Sequence, residues 1–325
     1  MPNTPHLTLH QLRLLLATAR EGSISRAADR LHLTQPTLSA QLKQLSTQIG
    51  LPLYERVGRR LHLTDAGQAL ASAAGQVEDV LRELGDELAV LRGDSGGRLR
   101  LAVVSTAETF IPRLLGEFRR ARPAVEVSLV VLNRQAVVKR LLENRDDLYI
   151  MTQAPVETPV TTIPFLDNPL VVVAPLDHPL RQHPTLQASD LAAEEFVLRE
   201  EGSGTRRAAE AFFANHGVSI KPRLELGSNE AVRQAVAGGL GISVLSIHAL
   251  GPDPAHAGVA ILPVAETPIP ARWQIVHPAG KRLTPLAQAF FDFLQRRCAE
   301  LQRETASAAQ AIGLPLTAPV GLNEA

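Results

Sequence analysis

The sequence predicts a three-part chain: a mainly helical winged helix-turn-helix head (residues 1–64), a long self-associating helix (65–92), and, after a short hinge (93–97), a two-lobed α/β body (98–301). Three observations predict it. Closely spaced helical patterns end in a basic hairpin, a heptad seam follows, and strand and helix patterns then alternate up to a final helix. Charge is segregated in the same way. Residues 1–64 hold eight arginine or lysine residues against three acidic ones, residues 65–92 hold two against six, and the whole chain of 325 residues is formally neutral. A basic head on a neutral body is the footprint of nucleic-acid binding.

In the head, Leu9, Leu12, Leu15, Leu16 and Ala19 recur at helical spacing and Gly22 stops that helix. Ser23 caps a second helix whose buried stripe is Ala27, Ala28 and Leu31. A short turn leads to the stretch around which the head is built, Thr34 to Leu45. Thr34 suits an N-cap, and Pro36 in the first turn lacks only an N–H that would have no helical partner. Leu38, Leu42, Leu45 and Ile49 form one apolar face, while Gln35, Pro36, Thr37, Ser39, Ala40 and Lys43 carry no carboxylate and suit base edges, thymine methyls and phosphates. Helix, helix, short turn, helix is the arrangement whose last helix enters the major groove. Two apolar strands then flank Arg56, Arg59 and Arg60, a basic wing positioned for phosphates or the minor groove.

Thr64-Asp65 caps the long helix, in which Leu70, Ala74, Val77, Leu81, Leu84, Leu88 and Leu91 alternate spacings of four and three. Such a seam, about 40 Å long, calls for the same helix of a second subunit. Gly93 to Gly97 reads as the hinge.

In the body, strands are expected at 98–104, 125–132, 147–151, 170–174, 196–199, 222–226, 240–245 and 271–277, and helices at 107–120, 134–144, 205–216, 229–237 and 284–301. The proline-rich stretch 152–169 and the return at 263–271 are the crossings between lobe 1 (98–167 and 272–301) and lobe 2 (168–271). Residues 302–325 read as a loose tail. Ligands of open α/β sheets sit where strands end and helices begin. Four such junctions carry hydroxyls, amides and charges: Ser105-Thr106, Asn133-Arg134, Ser203-Gly204-Thr205-Arg206 and Ser228-Asn229-Glu230. Free helix N–H groups and an arginine imply a small anionic, phosphorylated or carboxylated effector. For each serine taken alone, simple helix capping is the competing explanation.

No phosphate loop, serine elbow or metal-ligand spacing appears, so neither a catalytic nor a metal site is expected. A single cysteine, Cys298, and the lack of an early apolar run or a stretch of some 20 apolar residues point to a cytoplasmic chain without membrane contact.

Residues 8–67, notably Ala27-Ala28-Asp29-Arg30-Leu31, Thr34 to Ser39, Leu53-Tyr54-Glu55-Arg56 and Leu63 to Gly67, resemble the LysR-type transcriptional regulators. The body is similar to the Calvin-cycle (RuBisCO operon) regulators of that family through Asn168 to Pro175, Asp177-His178-Pro179-Leu180, Gly202 to Arg206 and Gly227 to Ser246. The resemblance implies a periplasmic-binding-protein-like effector domain and a tetramer built as a dimer of dimers. It also implies double-stranded promoter DNA as partner, with RNA polymerase beside it, and a phosphorylated or reduced metabolite as effector. Regulation of a sulfur, nitrogen or aromatic operon is the alternative within the family, and a solute-binding protein the alternative outside it. Ser46-Thr47-Gln48 stands where many relatives have an acidic residue.

Overall fold

The computed structural model describes residues 6–57, 60–91, 96–251 and 253–314; for 56, 57, 60 and several positions after 81 it describes the backbone alone. The chain divides into two compact units, Met1–Leu91 and Arg92–Ala325.

The first unit contains α1 (Leu9–Glu21), α2 (Ile24–Arg30), α3 (Gln35–Ile49), a hairpin of β1 (Tyr54–Val57) and β2 (Arg60–Leu63), and α4 (Asp65–Leu91). Thr8 and Gln11 form a reciprocal cap at the start of α1, and Gly22 ends it with a left-handed φ of 59°. Ser23 and Thr34 cap α2 and α3. Leu15, Ala27, Ala28, Leu38, Leu42 and Leu53 close one core. Gly67 is required where α4 crosses the hairpin: a Cβ there would lie 1.8 Å from the Leu53 carbonyl oxygen.

Leu70 and Ala74 lie on the head side of α4: Ala74 is fully buried in that core and Leu70 packs against it. The exposed seam therefore begins later than the heptads suggest. Val77, Val80, Leu81, Leu84 and Leu88 form it, with Val80, outside the expected set, 64% exposed. The side chain of Leu91 lies outside the described residues.

In the second unit, lobe 1 is a five-stranded sheet of order β4-β3-β5-β12-β6. Its strands are β3 (Gly97–Val104), β4 (Val125–Leu132), β5 (Leu148–Met151), β6 (Val160–Asp167) and β12 (Arg272–Pro278). Helices α5 (Ile111–Arg120), α6 (Arg134–Leu142) and α9 (Pro285–Ala311) accompany them. Trp273, Tyr149, Phe118, Phe165 and Phe290 fill its core. Lobe 2 contains β7 (Leu170–Pro175), β8 (Phe196–Arg199), α7 (Gly204–Asn215), β9 (Pro222–Leu226), α8 (Asn229–Ala237), β10 (Ser243–Ser246) and β11 (Val259–Ile261). The chain crosses between lobes at Asp167–Leu170 and Ile269–Arg272, where Leu170 and Ile269 exchange hydrogen bonds.

Several expectations are corrected. The proline-rich stretch hides β6, an edge strand antiparallel to β12. Pro164 is tolerated there because the register shifts beside Trp273/Gln274, so the missing N–H falls at an irregularity on a sheet edge. β11 was not expected, and the strand placed at 240–245 forms only at Ser243–Ser246. The helix expected over 107–120 is split into a 3₁₀ turn at Ser105–Thr109 and α5, with Pro112 in the first turn of the latter. Gly97 begins β3 and is not hinge; residues 92–95 lie outside the described residues.

The tail is corrected most. The last helix runs on to Ala311. Its first half buries Ala287, Phe290, Leu294 and Leu301 in lobe 1, whereas Ala309 is fully buried, with Ile312 and Leu314, against Val171, Val173, Val232 and Val236 of lobe 2. One helix is thus built into both lobes. Residues 315–325 lie outside the described residues.

Candidate functional site

On α3, Gln35, Pro36, Thr37, Ala40, Lys43, Gln44 and Thr47 are exposed in one band, and Ser39 is half-buried at its edge. The Thr34 hydroxyl accepts from the Thr37 N–H at 3.4 Å, so this face begins at a capped helix start. Ser25, which sequence reading missed, donates to Gln35 Oε1 at 3.1 Å. With its oxygen engaged, the Gln35 amide presents N–H groups outward, the complement of purine N7 and O6 acceptors. Ser23, also expected at the DNA surface, holds the start of α2 by accepting from the Arg26 N–H.

The basic surplus of the head is partly internal. Arg13 and Arg20 approach Glu78, and Arg30 pairs with Glu21 at 2.8 Å. Lys43 has no acidic partner among the described residues. Arg59 lies outside the described residues, as do the side chains of Arg56 and Arg60, although their strands pair in the expected hairpin.

In the second unit, the four predicted junctions separate into two kinds. Asn133 and Ser228 are caps, accepting from the Ala136 and Ala231 N–H groups at 3.0 and 3.1 Å, as the simpler explanation requires. Ser203 is different: it is buried at the start of α7 and makes no side-chain cap hydrogen bond. Ser203, Gly204 and Thr205 from lobe 2 face Ser105, Thr106, Arg134 and Thr152 from lobe 1 across a cavity of about 10 Å³, room for a single water. A second cavity of about 650 Å³ shares Thr152, Gly204 and Thr205 and extends along α7 to the crossings at Asp167 and Arg272. The lobes meet at the small cavity, where the Gln135 N–H donates to the Gly202 carbonyl at 3.1 Å. Gly202 has a left-handed φ of 84°, and a Cβ there would stand 2.5 Å from Gln135 Oε1, so only glycine allows this approach.

Two predicted residues are turned away. Arg206 donates to Glu210 at 2.7 Å and pairs with Glu225 at 2.9 Å; these bonds raise its pKa and take up its charge. Glu230 is held by Arg233 and Gln234, which lower its pKa and keep it anionic on an exposed surface. Neither side chain lines the cavities.

The cations that do serve the cleft are Arg134 and two residues that sequence reading missed, Arg207 and Arg199. Arg134 donates to the Gln153 carbonyl at 2.8 Å. Burial, and then the charge of Arg207, push its guanidinium below the usual range. Arg207 belongs to lobe 2 and acts on Arg134 as a like charge, and neither has a carboxylate partner in the ion pairs among the described residues. Arg199, at the end of β8, is fully buried and donates to Asn229, Glu200 and, at 3.0 Å, to Ser105 of the opposite lobe. A charged residue closing the apolar run Phe196-Val197-Leu198 was its only signal in the sequence.

Comparison with known proteins agrees with both halves. Residues 9–68 match the bacterial regulatory helix-turn-helix protein, lysR family, and residues 92–299 match the LysR substrate binding domain. The chain is 48% identical to a RuBisCO operon transcriptional regulator of Acidithiobacillus ferrooxidans, over 89% of this chain and 94% of that one. It is 44% identical to the HTH-type transcriptional activator CmpR of Synechocystis, over 88% and 94%. Among solved structures, the CcmR regulatory domain of Synechocystis in complex with 2-PG is 49% identical, covers 62% of this chain and 97% of that one, and superposes with a TM-score of 0.60. With a helix-turn-helix match at one end and a substrate-binding-domain match over the two-lobed body, the chain belongs to the LysR family of bacterial transcriptional regulators.

Proposed function

We propose that this regulator binds promoter DNA in the cytoplasm as a tetramer of two α4-paired dimers, answers to a small phosphorylated anion between its sensor lobes, and controls carbon-fixation genes with RNA polymerase as its eventual partner. The observation that carries the effector reading is the convergence of Arg134, a cation without an acidic partner among the described residues, with the hydroxyls of Ser105, Ser203 and Thr205 from both lobes, under the like charge of Arg207. Like charges across a cleft hold it apart, and an anion between them converts repulsion into two attractions. A ligand that binds the closed form better shifts the lobes toward closure. The larger cavity has the room for the anion, and the shared residues Thr152, Gly204 and Thr205 would bring it against the groups of the small one.

The gene target rests on the RuBisCO operon and CmpR regulators among the relatives, and the ligand class on the 2-PG bound by the CcmR domain. On the DNA side, Gln35, Pro36, Thr37 and Ala40 would read bases, while Lys43 and the wing arginines Arg56, Arg59 and Arg60 would hold phosphates. The test is a footprint of the regulator on the promoter region beside its own gene, titrated with 2-PG and other phosphorylated or reduced metabolites. The expected result is a changed footprint with an anionic metabolite, lost in Thr205→Ala and weakened in Arg207→Gln. A footprint indifferent to every anion tried refutes the effector reading, and a target promoter unrelated to carbon fixation refutes the assignment of genes.

A further inference from the structure

The hydroxyls of Ser105 and Thr106, which line the small cavity, accept from groups that can only donate. Arg199 can only donate hydrogen bonds, and so can the indole N–H of Trp273. Arg199 donates to Ser105 Oγ at 3.0 Å and to Asn229 Oδ1 at 2.5 Å, reaching one residue from each lobe. Trp273 donates to Thr106 Oγ1 at 3.0 Å. Each of these three partners therefore spends an acceptor lone pair on a group that can only donate, which leaves the hydroxyl hydrogens of Ser105 and Thr106 and the amide N–H groups of Asn229 free to donate. Asn229 is 97% buried, and its Nδ2 has no hydrogen-bond partner. A buried donor left in that state costs on the order of 1–3 kcal/mol and is met in native proteins where a ligand or water completes it.

Arg199 itself brings little net charge to this place. Glu200 takes its Nε and Nη2 at 2.8 and 3.0 Å, so the pair is close to neutral. Attraction is left to Arg134 and Arg207 further out. The inner layer selects by hydrogen-bond polarity, because a group that carries its own proton would set a donor against donors.

We propose that Arg199 is a positioning residue for effector recognition: by taking an acceptor lone pair of Ser105 and of Asn229 on opposite lobes, it turns both into donors and biases the cleft toward a fully deprotonated oxyanion. This rests on the reading of the cleft as an anion site. The corollary is that ligand ionisation, and not charge alone, gates binding. A phosphate monoester, whose second ionisation lies near pH 6, binds as the dianion.

The experiment is calorimetric titration of the full-length chain with 2-PG and with glycerol phosphate between about pH 5.5 and 7.5. The wild type is expected to tighten about fourfold across that range, the rise in the dianion fraction of a group ionising near pH 6. Asn229→Asp is nearly isosteric and keeps an oxygen for Arg199, but turns the free donor into an acceptor. It is expected to bind both compounds at least tenfold more weakly at pH 7.5 and to lose the tightening with pH. Ser105→Ala, a half-buried position that tolerates the change, is expected to weaken binding by threefold or more and serves if Asn229→Asp does not fold. Arg199→Met is expected to flatten the pH profile, which a role in stability alone would not do. If the wild type binds these anions but Asn229→Asp or, failing its folding, Ser105→Ala binds them as tightly with the same pH profile, the inference is overturned while the anion site stands. If the wild type binds neither compound, both fall.

Discussion

Ala309→Asp tests whether the last helix fastens the two lobes or ends in a loose tail. Ala309 is fully buried against Val171, Val173, Val232 and Val236, with Ile312 and Leu314 half-buried beside it. At about 25 cal/mol per Å² of apolar surface, each half-buried branched side chain contributes roughly 1 kcal/mol and the alanine methyl roughly 0.8, so docking of residues 303–314 is worth about 3 kcal/mol. The Arg113–Glu304 ion pair is exposed on both sides and adds little. An unpaired carboxylate at position 309 would cost several kcal/mol if the segment stayed docked. Undocking is cheaper, so the loss saturates near 3 kcal/mol. For a sensor of some 200 residues this lowers the unfolding midpoint by about 6–12 °C. Scanning calorimetry of the full-length chain reads it, and a chain ending at Gln302 should show the same shift. An Ala309→Asp midpoint within about 1 °C of wild type refutes the docking and restores the loose tail.

Three further outcomes are expected. Gln35→Ala should cost about 1–3 kcal/mol of discrimination between operator and random DNA, whereas Lys43→Ala should weaken both alike and reduce the salt slope by about one; band-shift titrations at several salt concentrations separate the two. Leu84→Asp, in the exposed stripe of α4, should raise the dimer dissociation constant at least about 100-fold, since the change occurs twice in a symmetric interface at roughly 1.4 kcal/mol each; sedimentation measures it. His248 is half-buried against Phe110 and Trp273, and desolvation holds its imidazole below the usual range despite its bond to the Asp167 carbonyl. The unfolded chain therefore takes up a proton first as pH falls below about 6.5, and sensor stability is lost in that direction; the slope of midpoint against pH should be smaller in His248→Gln.

Local signals made much of the head legible. Thr34, Pro36, Gly22 and the leucine spacing act within a few residues of themselves, so the caps, the helix stop and the apolar face of α3 could be read directly. The same locality misled at β6. Pro164 and the surrounding prolines describe a connection until the edge position and the shifted register beside Trp273 are known. In the cleft, sequence identified the junctions but not their division of labour. Ser105, Ser203 and Ser228 look alike in the chain, yet one accepts from Arg199, one makes no cap and one caps its helix. Arg206 and Arg207 are adjacent and equally charged; helical rotation gives the first to Glu210 and Glu225 and leaves the second without an ion pair among the described residues, its charge felt by Arg134.

What the sequence determined by itself was periodic or nearest-neighbour: the helix-turn-helix, the apolar stripe on α4, the alternation of strands and helices, and the places where strands give way to helix starts. Tertiary structure decided the rest, because it depends on which distant groups are brought within a few ångströms. It placed Arg199 between Ser105 and Asn229, turned Arg206 and Glu230 away, and built the last helix into both lobes through Ala309. Hydrogen-bond polarity and charge balance belong to those long-range neighbours, and no local pattern encodes them.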